Sequence, residues 1–368
     1  MKVSIITILD NTNFGTYLQA LATGLVVKSL GHDVELIRYT RPIMTLKGYP
    51  KTILKERGIL SWMKHRNDIK GIIELRNKDY AFLGCYLPIT EEYTSYKALC
   101  KNPPVADVYI TGSDQVWNSI YNRGVDKSFY LEFAPRQARR IAYAASIGMD
   151  DFANEEKPII TSLLRKYAQI TVREKSAQQI LKKLDIKSEV VLDPTLLLNS
   201  NQWNDIAKKN KISFLEKYIL IYSVEQKQQD ELIAHYAKAI AEQKGLKIYH
   251  VSYGGTNKQF SCADKFFGKA TPEVFLGLMQ GANYVVVSSF HGTAFAINFQ
   301  KQFLTISANR FNSRLYNLLE TTGLQDRQIS NKCYDLSSLK DIDYTQINIE
   351  LDKQRKKSLA LIKNMIEL

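Results

Sequence analysis

Tyr284-Val-Val-Val-Ser-Ser-Phe-His-Gly-Thr-Ala-Phe-Ala-Ile-Asn-Phe-Gln-Lys-Gln-Phe-Leu-Thr-Ile306 reads as strand, turn, helix and strand in succession. The run 284–287 is β-branched with no alternating polar positions, the pattern of a strand buried on both faces of a parallel sheet. It breaks into two serines, an aromatic, a histidine and a glycine before small and apolar residues resume at helical spacing. That break falls at the carboxyl end of a strand, where open α/β sheets bind their ligands.

The turn suits an anion. Ser288 and Ser289 offer hydroxyls, Gly292 lets backbone approach a ligand, and a helix opening near Thr293 presents N–H groups and a positive dipole end. His291 sits among them. An imidazole there can donate to an anion or deliver a proton near neutral pH; alternatively it caps the helix and bonds a neighbouring carbonyl.

The stretches before it repeat the same design. Residues 3–9 are expected as a strand, Asp10-Asn-Thr-Asn-Phe-Gly15 as a polar loop, 16–30 as a helix and 33–37 as a second strand. This βαβ opening lacks GxGxxG, so the Asn13-Phe-Gly15 turn is either a helix N-terminus above the sheet or an ordinary connection. Residues 106–110 form a strand that runs into Thr111-Gly-Ser-Asp-Gln-Val-Trp-Asn118. There Asp114 is a base for a sugar hydroxyl or the N-cap of the next helix, with Gln115 beside it. Residues 139–148 run from strand into a small-residue turn, 155–167 read as an amphipathic helix, and 169–172 as a strand. Arg173 follows it directly, a position for a bidentate carboxylate or phosphate clamp. Glu189-Val-Val-Leu-Asp-Pro-Thr-Leu-Leu-Leu198 is a strand and Pro-containing exit.

Two domains are expected at 368 residues. The first spans 1–198, with a basic helical insertion at about 41–100, and the second spans 199–342 with strands at 218–224, 247–253, 284–289 and 303–306. A terminal helix within 343–368 is long enough to return to the first domain. The insertion carries Arg41, Lys47, Lys51, Lys55, Arg57, Lys64, Arg66, Lys70, Arg76 and Lys78 between residues 41 and 79. It rests on an anionic bilayer, grips a phosphorylated acceptor, or is a solvated helix face.

Hydrophobic residues at 45% and charged residues at 24% describe an ordinary globular chain. No apolar run approaches the ~18 residues of a membrane span, and the amino terminus enters a strand, so a cytoplasmic enzyme is expected, at the inner face of the membrane if the basic insertion docks there. Cys85, Cys100, Cys262 and Cys333 are scattered, and no metal signature is visible. A formal charge of +13 favours an acidic partner. The lack of a zinc finger, RRM signature or basic heptad argues against a nucleic-acid reader.

In chain order, Asn13-Phe-Gly-Thr-Tyr-Leu-Gln-Ala20, Gly112-Ser-Asp-Gln-Val-Trp117, Val172-Arg-Glu174 with Leu192-Asp-Pro194, and Ser288-Ser-Phe-His-Gly-Thr293 together resemble the polysaccharide pyruvyltransferase family. The resemblance covers nearly the whole chain, and the order and spacing of the motifs carry it. It implies an α/β, GT-B-like fold of two Rossmann-like domains with the active site in the interdomain cleft. It also implies transfer of the pyruvyl group of phosphoenolpyruvate to two hydroxyls of a sugar, such as a galactose-type residue of a lipid-linked polysaccharide precursor, forming a pyruvate ketal and releasing phosphate. By resemblance His291 matches the family's histidine, the expected general acid, and Arg173 its phosphoenolpyruvate-binding arginine. Ser288, Ser289, Gly292, Thr293, Lys301 and Arg314 would complete the donor site; Asp114 would take a hydroxyl proton, and Asn13, Gly15 and Gln115 would face the acceptor. No metal or cofactor is implied beyond phosphoenolpyruvate as donor. The competing expectation is a GT-B glycosyltransferase that uses a nucleotide sugar.

Overall fold

The computed structural model describes residues 1–11, 13–65, 68–208, 216–224, 227–253, 259–307 and 313–368. Arg66 of the basic insertion lies outside them.

Among the described residues twelve strands form two parallel sheets. The first contains β1 (Lys2–Ile6), β2 (Asp33–Leu36), β3 (Val108–Thr111), β4 (Arg139–Ala145), β5 (Gln169–Val172) and β6 (Glu189–Val190), in the order β2-β1-β3-β4-β5-β6. The second contains β7 (Tyr218–Tyr222), β8 (Lys247–Val251), β9 (Lys265–Phe267), β10 (Tyr284–Val287), β11 (Gln302–Ile306) and β12 (Gln328–Ile329), in the order β12-β11-β10-β7-β8-β9. Numbered from its own first strand, the second sheet runs 6-5-4-1-2-3, the doubly wound order of dinucleotide-binding folds. Both sheets are of the Rossmann type, and the fold is GT-B-like.

The chain divides into two compact units, one of Met1–Thr12, Thr16–Pro194 and Lys357–Leu368, the other of Asn13–Gly15 and Thr195–Lys356. In the second unit the helix Lys227–Lys244 lays Ile233, Tyr236, Ala237 and Ile240 on Ile219, Ile221, Val286, Leu304 and Ile306 of the sheet, a contiguous apolar core. β10 is buried at every position, as its unbroken Tyr-Val-Val-Val composition requires. In the first unit the end of the helix Tyr344–Glu367 is fixed by polar contacts: Leu192 N–H donates to Ser358 Oγ at 3.2 Å and Arg139 Nε to the Met365 carbonyl at 2.7 Å.

Several expected boundaries move. The first helix is Phe14–Ser29, so Phe14 and Gly15 are its opening turn and not a loop before it. The helix expected at 155–167 is Lys157–Leu164, and the expected strand after residue 189 stops at Val190, with Pro194–Leu197 forming a helical turn. β9 and β12, three and two residues long, carry too short a pattern to be read from sequence. The basic segment is two helices, Gly48–His65 and Asp68–Gly84, after a 3₁₀ turn at Pro42–Met44.

That segment is also less uniformly a charged surface than its composition implies. Arg41 is 4% exposed and sits on Asp10, with Nη2 2.7 Å from Oδ1 and Nε 3.0 Å from both carboxylate oxygens, while Nη1 reaches Asn122 Oδ1 at 3.0 Å. Burial alone would lower its pKa; the Asp10 charge more than offsets this and raises it. Arg76 is likewise buried and donates to the Met44 carbonyl. Lys47, Lys51, Lys55, Arg57, Lys64, Lys70 and Lys78 remain exposed.

Candidate active site

In the second sheet the winding direction reverses between β7 and β10, and the crevice beyond the carboxyl ends of such a pair is where doubly wound folds hold ligands. β7 ends into Ser223 and β10 into Ser288. Their hydroxyl oxygens lie 3.1 Å apart, and Ser223 Oγ donates to Asp230 Oδ1 at 3.4 Å from the first turn of the helix Lys227–Lys244. Burial raises the pKa of the Asp230 carboxyl, with the Ser223 hydrogen bond opposing it. Neither Ser223 nor Asp230 was singled out from the sequence, although a serine directly after a β-branched strand is the same signal that marks Ser288.

The helix that follows β10 is Phe290–Asn298, and its N-cap is Ser289, whose Oγ accepts from Gly292 N–H at 2.9 Å. The cap therefore belongs to Ser289 and not to His291, and the helix opens three residues before Thr293. Thr293 turns inward, donating to the Ser289 carbonyl at 3.0 Å and sharing a hydroxyl–hydroxyl bond of 3.0 Å with Thr305 Oγ1 of β11, so it braces the turn from beneath. His291 stands in the first turn, at the positive end of the helix dipole, edge-on to the Phe290 ring at 5.2 Å.

Gly15 explains how the imidazole is held. A Cβ at residue 15 would lie 2.1 Å from His291 Nδ1 and 2.2 Å from Cγ, so only glycine lets the backbone press against the ring. Phe14 anchors that approach: its ring stacks on Phe275 at 4.6 Å and meets Tyr253 at 5.2 Å and Tyr222 at 5.5 Å. Two of the quoted motifs thus converge on one histidine. Asn13, half-buried, precedes this aromatic anchor.

Lys301 does not join the group. It precedes β11 at the amino end of the sheet, a strand length of roughly 15 Å from the carboxyl edge, and its Nζ donates to the Gln280 carbonyl. Burial lowers its pKa. The helical register of the segment after His291 carries the chain back across the sheet, which a linear reading does not convey. Arg314 lies in the first turn of the helix Ser313–Thr322, reached from the carboxyl end of β11.

The remaining expected residues collect in the first unit, at the carboxyl edge of its own sheet. Arg173 is 3% exposed and surrounded by carboxylates: Nη1 is 2.8 Å from Asp193 Oδ2, Nη2 3.8 Å from Asp114 Oδ1 and Nε 4.0 Å from Glu174 Oε2. Burial alone would lower its pKa, but the charges of Asp193, Asp114 and Glu174 prevail and raise it. As an anion clamp the guanidinium would have to work with Nη1 already bound to Asp193 and with two further carboxylates within 4.0 Å that would repel an incoming anion. Asp193 and Glu174 both fall in quoted motifs, and their place just past a strand end was the signal that each could pair with Arg173.

Asp114 is not an N-cap either, since that role falls to Asn118. It adopts φ 77°, a left-handed conformation uncommon outside glycine, and its carboxylate accepts from Gln115 N–H at 2.8 Å and from Thr16 Oγ1 at 3.1 Å. Ser113 Oγ donates to Asp193 at 3.0 Å, and Glu174 Oε1 accepts from Ser146 Oγ and from the N–H groups of Ile147 and Gly148. Gln115 is buried, its Oε1 accepting from Asn118 Nδ2 at 2.8 Å. Among the described residues no group of His, Cys, Asp and Glu is arranged to hold a metal ion.

Similarity to known proteins adds what geometry cannot. Among solved structures the chain is similar to UDP-GlcNAc 2-epimerase from Methanocaldococcus jannaschii (TM-score 0.51, 13% identity, covering 98% of this chain and 93% of that one). It is also similar to UDP-GlcNAc 2-epimerase from Neisseria meningitidis bound to UDP-GlcNAc (TM-score 0.51, 11% identity, 98% and 94%). At such identities the likeness concerns the fold alone. No curated protein sequence matches. A family model described as polysaccharide pyruvyl transferase matches residues 13–310, which is most of the 368-residue chain and spans every motif quoted above. The chain belongs to the polysaccharide pyruvyl transferase family, whose reaction places pyruvyl groups on polysaccharides.

Proposed function

We propose that the protein transfers the pyruvyl group of phosphoenolpyruvate onto two hydroxyls of one sugar, a galactose-type residue of a lipid-linked polysaccharide precursor, to form a cyclic ketal. The observation that carries this reading is His291, held by Gly15 in the first turn of a helix at the switch point of a doubly wound sheet, inside a chain of this family. A proton goes to the methylene carbon, C2 gains oxocarbenium character, and the first sugar hydroxyl adds there. The C2–O bond to phosphate then breaks and the second hydroxyl closes the ring. Of the two hydroxyl protons, one balances the proton taken up by carbon and the other leaves with phosphate.

His291 supplies the proton to carbon, and its place at a helix N-terminus suits it to stand beside an anion. Ser288 and Ser289 receive the phosphate or carboxylate of the donor, with Arg314, in the first turn of the helix that follows β11, as the cation. Arg173 acts through the buried network it organises and does not touch the donor.

The test is mass spectrometry of lipid-linked galactoside acceptors incubated with phosphoenolpyruvate and the purified protein. The expected result is a product heavier by one pyruvic acid less one water, together with stoichiometric phosphate. Sugar transfer from a nucleotide sugar, with no phosphoenolpyruvate-dependent product, would replace this reading with that of a glycosyltransferase.

A further inference from the structure

We propose that the helix Gly48–His65 is a membrane-docking element that lies in the headgroup–acyl boundary of an anionic bilayer, independently of the donor chemistry. Its exposed side chains are large and apolar where a solvated helix would be polar: Leu54 is 45% exposed, Ile59 63%, Leu60 81% and Met63 57%. Gly58, at φ 75° and ψ 178°, interrupts the helix just before Ile59 and Leu60. Beyond that break Met63 follows Ile59 by four residues and Leu60 by three, which places the three on one helical face.

The charge around this apolar face has one sign. Lys51, Lys55, Arg57 and Lys64 are exposed, while the helix's only acid, Glu56, is bound by Arg123 Nη2 at 2.6 Å. An apolar face rimmed by lysine and arginine is the composition of helices that lie in an anionic membrane surface. A protein partner fits less well, because lysine is depleted at protein interfaces. A second copy fits worse, since a two-fold contact through this helix would bring the same four cations against themselves.

Trp62 supplies a spectroscopic reading. Of the three tryptophans it alone is partly exposed, Trp117 and Trp203 being 1% and 0% exposed. The full-length protein is sedimented with vesicles of phosphatidylcholine, with or without phosphatidylglycerol, and Trp62 emission is followed with brominated acyl chains. Binding to the anionic vesicles is expected, with blue-shifted emission and quenching by the brominated lipid. Leu60→Asp with Met63→Asp should weaken binding by about tenfold or more, and raised salt should weaken it while leaving part of the apolar contribution. Both positions are mostly exposed, so the melting temperature should hold; if the double variant melts early, Leu60→Gln alone gives the same reading. Unchanged vesicle binding in these variants, absence of quenching, or a change in self-association in place of vesicle binding would overturn the proposal.

Discussion

The carboxyl edges of the two sheets, built from the same strand–helix repeat, do opposite things with polar residues. In the first unit the single cation Arg173 is countered by Asp193, with Asp114 and Glu174 beside it, within a buried network of Ser113, Thr16 and Ser146. In the second unit the edge carries hydroxyls, one partly buried carboxyl and an imidazole at a helix N-terminus, with Phe14 and Gly15 closing on it. A strand-end position therefore does not by itself make a ligand site. What matters is whether the charged group there already has its counter-charge from the protein.

The comparison is sharpened most by His291→Gln. If the second edge holds the chemistry, turnover should fall by ~10²–10⁴-fold while phosphoenolpyruvate affinity is largely kept. Wild type run in deuterium oxide should be slower and carry deuterium in the product methyl group. Normal turnover by the glutamine variant at saturating substrate would remove the proton-donor role.

Arg173→Ala tests the first edge as structure. It leaves three buried carboxylates without their cation and should cost about 3–5 kcal/mol of stability in denaturant unfolding. A double-mutant cycle with Asp193→Asn should show strong coupling, because the second substitution removes one of the stranded charges. A stable Arg173→Ala variant that had lost only phosphoenolpyruvate affinity would restore the clamp and break the comparison.

The second sheet should also have its own acid sensitivity, separate from its chemistry. His250 of β8 is 1% exposed between the rings of Phe260 and Phe266, and burial lowers its pKa from 6.5 to about 4. Its folded-state pKa lies below the unfolded one, so the unfolded chain binds the proton first. The contribution to stability is whole above about pH 6.5, falls as pH drops toward 4, and is flat below that. At about 1.4 kcal/mol per tenfold change in proton affinity, the loss is about 3 kcal/mol. Unfolding free energies measured across this window for wild type and His250→Phe should diverge in slope; parallel curves would place the sensitivity elsewhere.

Gly15→Ala gives the smallest effect on stability and the finest probe of the histidine. The added methyl overlaps the imidazole at 2.1 Å, and relief of the overlap should cost about 1–3 kcal/mol. Turnover should fall with it, since the ring must move. An alanine variant with wild-type turnover would show that Gly15 does not set the position of His291.

Much of this fold was legible in the chain. Strong local patterns determined β10, the βαβ opening and the alternation of strands and helices, because the side-chain period of a strand buried on both faces differs from that of a helix. The same patterns placed His291, Ser288 and Ser289 at a strand's carboxyl end. Strands as short as β9 and β12 lacked enough residues to show a period at all.

Pairing across long sequence separations was decided only by the tertiary structure. The sequence contains Arg173, Asp114 and Asp193 at strand ends but not the fact that they face one another, which gives the arginine its counter-charge from within the protein. It contains Lys301 ten residues after His291, but the helix between them carries the lysine to the opposite edge of the sheet. It contains Gly15 as a helix former's poor choice, and only the approach of His291 explains why no larger residue fits. Local chemistry is written in the order of residues; which groups meet, and hence which charges remain available to a ligand, is fixed by how each sheet brings its own strand ends together.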